Sequence, residues 1–257
     1  MKTALLISGW PRFHAEVDEQ LANLKGNNIE WIVVFWRNYP EDVDLTLNAC
    51  LTPSWLAEVN TEADARAWLR ARMPATHTLR HFSYVDWNAF PMEMVRDYPN
   101  QVPGTNPEAI FRQFWMFKQA NLIRKTLDNY DLVFRTRADI GISKTIDFEQ
   151  IHDQLINEPN RLVIPSNGRQ GLNWADLFTI GLPGAIDIYA DAVDLFNEFY
   201  QHGVTMHPEN IVSHVLQYKG LYWQDDGYIT SMRQRGRYLT PTFVRGKKYY
   251  EADFGRW

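Results

Sequence analysis

Two short apolar runs open the chain, TALLISG at residues 3–9 and IEWIVVFW at residues 29–36. Neither alternates apolar with polar positions, which is the pattern of strands buried on both faces. The stretch between them, roughly residues 15–25, is predicted to be a helix. A β-α-β opening of this kind implies a parallel sheet with a right-handed crossover. Residues 40–75 are polar and helical in tendency, ending in TEADARAWLRARM, and LRHFSYVDW (79–87) predicts a short strand before a loop rich in Pro, Asn and Gly over 88–107.

The clearest helix begins at Asn106, in NPEAIFRQFWMFKQANLIRKTLDNY. Asn106 can cap it, Pro107 suits its first turn, and Glu108 favours its positive end. Ile110, Phe114, Phe117, Asn121 and Ile123 fall near one face, while Arg112 and Lys118 lie on others. A strand, YDLVFRTRADIGIS (130–143), comes next. A helix (148–157), a strand (161–166), a Gly-rich loop (167–173), a strand (177–181) and helices over about 183–201 and from 207 complete the regular part. No internal repeat, low-complexity tract or linker interrupts it. The pattern predicts an α/β fold in one domain, residues 1–257, with a basic, aromatic tail over about 222–257.

In the strand YDLVFRTRADIGIS, the apolar run Leu132-Val133-Phe134 gives way to Arg135, Arg137 and Asp139 at every second position. Alternation puts these three side chains on one face of a strand end, where buried charge is costly without a partner. Ligands of open α/β sheets bind outside the strands' carboxyl ends. Two guanidiniums suit a diphosphate, and Asp139 beside them could hold Mg2+ or Mn2+. An ion pair between either arginine and Asp139, propping the sheet edge, explains the same spacing.

Composition narrows the function classes. The 257 residues are 45% hydrophobic and 14% aromatic, with 10 Trp, 12 Tyr and 14 Phe, a surplus that often lines sites for ring-shaped ligands. A net charge of -5 gives no sign of a nucleic-acid binder. Cys50 is the only cysteine, which rules out an internal disulfide and a Cys-based zinc site and fits a reducing cytoplasm. The first apolar run is too short for a signal peptide, with Pro11 and Arg12 following at once, and no stretch reaches the ~18 apolar residues of a membrane span. The expectation is a soluble cytoplasmic protein, or one peripheral to the inner face of the membrane.

YDLVFRTRADIGIS resembles the Arg-x-Arg-x-Asp signature of a family of bacterial polysaccharide- and lipopolysaccharide-synthesis glycosyltransferases of GT-A type, WavE-like proteins among them. The similarity extends through ISGWPR at the start, IFRQFWMFKQANLI, VIPSNGRQGLNWADLFTIGLPGAIDIYADAVDLF and HPENIVSHVLQYKGL, and so spans residues 1 to about 221. It implies a GT-A-like, Rossmann-like, mainly parallel sheet flanked by helices. GT-A enzymes commonly carry Asp-x-Asp at this strand end, binding a metal and the donor diphosphate. Here Arg137 replaces the first acid and Asp139 keeps the second, so the arginines are themselves able to neutralise the diphosphate.

The resemblance also implies roles elsewhere. Gly9 and Arg12, after the first strand, would contact the nucleotide, Gly9 by allowing close backbone approach. An ordinary turn accounts for both nearly as well. Trp36, ending the second strand, reads as a core tryptophan before a base-stacking one. Arg112 and Gln113 would face the donor sugar. Asp176, with Asn173 and Trp174 before it, could meet donor or acceptor hydroxyls, or merely cap a turn. The helix start at Glu209 is similar to the Glu-Asp-Val start that carries the catalytic base in some inverting GT-A enzymes; Asn210 takes the Asp position here, so the base role would fall to Glu209, although an acid at a helix start is favourable without chemistry. His207 beside it is a candidate metal ligand or alternative base.

Together these imply a glycosyltransferase that moves a sugar from a nucleotide-sugar donor to a glycan or lipid-linked acceptor, with Glu209 or Asp176 as base if the reaction inverts. Two alternatives remain at this level. One is a nucleotide-sugar or glycan-binding protein without catalysis. The other is a metal-dependent phosphoesterase, which usually needs more Asp and His ligands than the scattered histidines here provide.

Overall fold

Each apolar run becomes a strand of a seven-stranded sheet. The structure, a computed structural model, describes residues 1–10, 23–38, 61–95, 106–138, 140–142, 145–164, 166–169, 172–173, 178–224, 230–234 and 237–238. The sheet's strands are β1 (Thr3–Gly9), β2 (Ile29–Arg37), β3 (His77–Asp86), β4 (Leu132–Thr136), β5 (Arg161–Val163), β6 (Phe178–Gly181) and β7 (Tyr222–Gln224). Their spatial order is β7-β5-β6-β4-β1-β2-β3. Only β6 runs against its neighbours, so the sheet is mixed and mainly parallel. Helices α1 (Glu62–Arg72), α2 (Pro107–Leu127), α3 (Phe148–Leu155), α4 (Pro183–Ala190), α5 (Phe196–Gln201) and α6 (Pro208–Tyr218) flank it.

Alternation along the strands divides the core into two layers. Ala4, Leu6, Ile32, Val34 and Val133 face α2, α4 and α5, where Phe111, Phe114, Phe117, Tyr189 and Phe196 cover them. Leu5, Ile7, Trp31, Val33, Phe35, Leu132 and Phe134 face the other way, against Ala65, Trp68 and Leu69 of α1 and Phe148, Ile151 and Leu155 of α3. β1 and β2 are apolar on both faces because both faces are covered.

The chain moves from β1 through β2 to β3 in one direction, then returns through α2 to β4 on the far side of β1. The strand order therefore reverses between β1 and β4, and a crevice opens at the carboxyl ends of strands that diverge in this way. Asn106 accepts a hydrogen bond from the Ala109 amide at 3.2 Å and Pro107 sits in the first turn, as the sequence predicts. Since α2 leads into β4, its amino end and positive dipole lie at the carboxyl edge of the sheet. By the same connectivity α6, which leads into β7, starts at that edge too.

Other predicted elements shift. Residues 15–22 of the helix expected over 15–25 lie outside the described residues, while Leu24–Lys25 pairs in parallel with Ile146–Asp147. The loop expected at 167–173 contains a hairpin, Ser166–Arg169 against Leu172–Asn173. The helix expected over 183–201 breaks into α4, a 3-10 segment (Asp191–Leu195) and α5. Lys118 of α2 draws both Asp191 and Asp194 of the 3-10 segment toward it. Among the described residues no helix is long and apolar enough to cross a membrane.

One buried pair makes stability depend on pH. The Trp31 indole donates to His77 Nδ1 at 3.0 Å, and burial lowers the pKa of this imidazole. A proton on Nδ1 would displace that donor. The unfolded chain binds the proton near pH ~6.5 and the folded chain only below that, so the stability is present above this pH and is lost as pH falls beneath it. His81, also depressed by burial, adds in the same direction. The melting temperature should fall as pH drops below about 6.5, and His77→Gln should flatten part of that fall. A profile equally steep in the variant would contradict this assignment.

Candidate nucleotide-binding site

A cavity of about 210 Å³ opens at the point where the strand order reverses, lined by Ser8, Gly9, Trp10, Trp36, Ala109, Gln113 and Arg137. β1 brings Ser8 and Gly9 to it, α2 brings Ala109 and Gln113, and Arg137 follows β4 directly. Gly9 has a φ of +110°, which a side chain would strain. A wider opening of about 440 Å³, lined by Leu24, Lys25, Gly26, Asn27 and neighbours, lies at the amino ends of β2 and β3. The position of the smaller cavity at the strand carboxyl ends makes it the candidate site.

The two arginines of the strand motif share a face and differ in depth. Arg135 is fully buried, its guanidinium 5.9 Å from the ring centre of Phe114 and 5.2 Å from that of Phe117, both on α2. Arg137, one pair further along, is half-buried and donates to Gln113 Oε1 at 3.4 Å. Arg137 lines the cavity and Arg135 does not.

Aromatic rings form one wall. Trp10 lies 5.0 Å from Trp87, and Trp87 lies 5.4 Å from Trp36. Trp36 stacks on Trp115 at 5.5 Å with 9° between the planes, and Phe90 meets Trp115 edge-on. Trp36 is thus mostly core, 1% exposed, with one edge at the cavity, whereas Trp10 is half-buried. Arg112 holds this wall in place. Its guanidinium lies 3.7 Å from the Trp87 ring centre, donates to the Trp87 carbonyl at 2.7 Å, and pairs with Glu108 at 2.6 Å. Arg112 is buried and absent from the cavity lining, so it reaches the site through Trp87.

Asp86, ending β3, caps the turn that carries Trp87 by accepting from the Asn88 amide at 2.8 Å. The Asn38 amide group also donates to it at 2.6 Å, and these bonds hold its carboxyl below the usual range.

The remaining sequence candidates are placed only in part. Arg12, Asp139, Trp174 and Asp176 lie outside the described residues, and Asn173 is described as a strand residue alone. Glu209 lies in the first turn of α6. The His207 amide donates to the Thr205 carbonyl at 2.8 Å just ahead of that helix. Among the described residues no group of three His, Cys, Asp or Glu is placed to hold a metal ion, and the cavity lining includes no carboxylate.

Ser8, Trp10 and Trp87 were not singled out in the sequence. Trp10 carried a usable signal, because it follows Gly9 at the end of the first apolar run. Trp87 reaches the wall through the turn after β3, which periodicity does not describe.

No family model matches the chain. No curated protein matches it. Among solved structures it is similar to mouse Xyloside xylosyltransferase 1 in its apo form, with 9% identity over 87% of this chain and 84% of that chain, at a TM-score of 0.44.

Proposed function

We propose that the chain is a glycosyltransferase that uses a nucleotide-sugar donor and passes the sugar to a glycan or lipid-linked acceptor in surface polysaccharide synthesis. The observation that carries the reading is the cavity where the strand order reverses, with Arg137, the Gly9 backbone and the amino end of α2 converging on it. A guanidinium, a glycine that lets the backbone approach and a positive helix end together suit a diphosphate. Trp10 offers a ring face to the base or sugar of the same ligand. The motif resemblance adds the chemistry.

In that reaction the acceptor oxygen forms a bond to the anomeric carbon as the bond to the diphosphate oxygen breaks, and the leaving diphosphate takes the electron pair. Arg137 stabilises the charge that develops there, with Gln113 orienting the guanidinium. If the reaction inverts, the acceptor proton passes to a carboxylate, for which Glu209 or Asp176 is the candidate. Mn2+ or Mg2+ on Asp139 would add charge neutralisation at the same diphosphate.

A binding protein without catalysis is the second reading, because the contacts proposed for Arg137 and the Gly9 backbone serve binding of a diphosphate as well as transfer. Thermal-shift screening against UDP, GDP and CMP sugars, followed by an assay of nucleotide release, separates the two. Stabilisation with release supports transfer, and stabilisation without release under any acceptor supports binding alone. No stabilisation by any nucleotide sugar would remove both readings.

A further inference from the structure

One buried hydroxyl at the cavity is left over by the fold. Ser8, on β1, is 4% exposed, and its Oγ has no hydrogen-bond partner among the described residues. Taking a hydroxyl out of water without a partner is unfavourable, so such a group weakens the fold that carries it. Ser8 also lines the cavity of about 210 Å³. Its place in the sheet says which part of a ligand it meets. Leu6 pairs with Arg135 and Ile7 with Thr136, so the next step along β1 and β4 sets Ser8 beside Arg137. On its other side Ser8 pairs with Val34 of β2, two residues before Trp36. By alternation Ser8 shares a face with Leu6, which packs toward α2, the helix that brings Gln113 to the same cavity.

We propose that Ser8 is a phosphate-binding residue whose hydroxyl donates to an oxygen of the diphosphate held by Arg137. A guanidinium offers only donors, so a hydroxyl beside it is best completed by an acceptor that both can share. A phosphate oxygen is such an acceptor, whereas the indole of Trp36 on the other side has a donor alone. Turning about χ1 among its staggered positions presents the serine hydroxyl to the incoming oxygen. The inference rests on the nucleotide reading of the site. To the contacts proposed for Arg137 and the Gly9 backbone it adds a neutral donor, one residue deeper along β1.

The test is calorimetric titration of the wild-type chain, Ser8→Ala and Arg137→Ala with two ligands. One is whichever of UDP, GDP and CDP most raises the melting temperature, and the other is inorganic pyrophosphate. Ser8→Ala should weaken both by about 10-fold or more, the scale of a lost hydrogen bond to a charged group. The melting temperature of this variant without ligand should hold or rise, because the hydroxyl it lacks has no partner among the described residues. A hydroxyl that serves the fold would do the reverse, lowering the melting temperature and leaving affinity alone. That result would overturn the proposal, as would weakening confined to the nucleoside diphosphate or a wild-type chain that does not bind pyrophosphate. Where Arg137→Ala still loses affinity for the nucleoside diphosphate and Ser8→Ala does not, the nucleotide reading stands and the role of Ser8 falls. A wild-type chain that binds neither ligand would overturn both.

Discussion

Replacing Glu209 with Gln should lower turnover by ~100-fold or more while leaving donor affinity in place, because the amide keeps the size of the carboxylate but not its basicity. The expectation follows from the connectivity at the end of the regular structure. α6 leads through Gly220 and Leu221 into β7, which runs parallel to β5, so the first turn of α6 begins at the carboxyl edge. An acid there is also favourable to the helix for electrostatic reasons, worth ~0.3–1 kcal/mol. Measuring melting temperature, donor binding and turnover on this variant distinguishes the roles. A small fall in stability with turnover intact would leave Glu209 as a helix-end charge. Asp176 would then be the next candidate, and a retaining reaction without an enzymic base would gain weight.

The second large effect should come from separating the two arginines of the strand motif. Arg137→Ala removes a guanidinium that lines the cavity, and should weaken binding of a nucleoside diphosphate by ~1.5–3 kcal/mol, the range for hydrogen bonds to charged groups. Its melting temperature without ligand should change little, because the side chain is half-buried at the edge. Arg135→Ala should behave the other way. This side chain fills space beside Phe114 and Phe117 with no exposed surface, so its loss should lower stability whether or not nucleotide is present. Calorimetric titration and thermal denaturation of both variants test the division. Equal losses of affinity from two equally stable variants would place both guanidiniums on the ligand.

The strands were legible wherever burial on both faces left an apolar run. β1 and β2 match TALLISG and IEWIVVFW, and the cap of α2 is the one expected from Asn106 and Pro107. Direction was not legible. LFTIG is equally apolar in a parallel or an antiparallel strand, and only the structure shows that β6 runs against β4 and β5. Alternation correctly assigned Arg135 and Arg137 to one face, but depth depends on what packs there, and the aromatic face of α2 covers one and not the other. The packing of Arg112 was not legible for a similar reason. Off the apolar stripe it reads as a polar contact, yet Trp87 and Phe90 fold over it from a turn 25 and 22 residues earlier in the chain. The aromatic wall is built from four separate segments, which no local pattern joins.

The proposed function requires a nucleoside diphosphate in the cavity between β1 and β4. A crystal structure of the chain soaked with the nucleotide that most raises its melting temperature tests this directly. Diphosphate oxygens should lie within hydrogen-bonding distance of Arg137 and the Gly9 backbone, with a ring of the ligand against Trp10. Density for the nucleotide in the wider opening beside Leu24, Lys25 and Gly26, at the amino ends of β2 and β3, would contradict it.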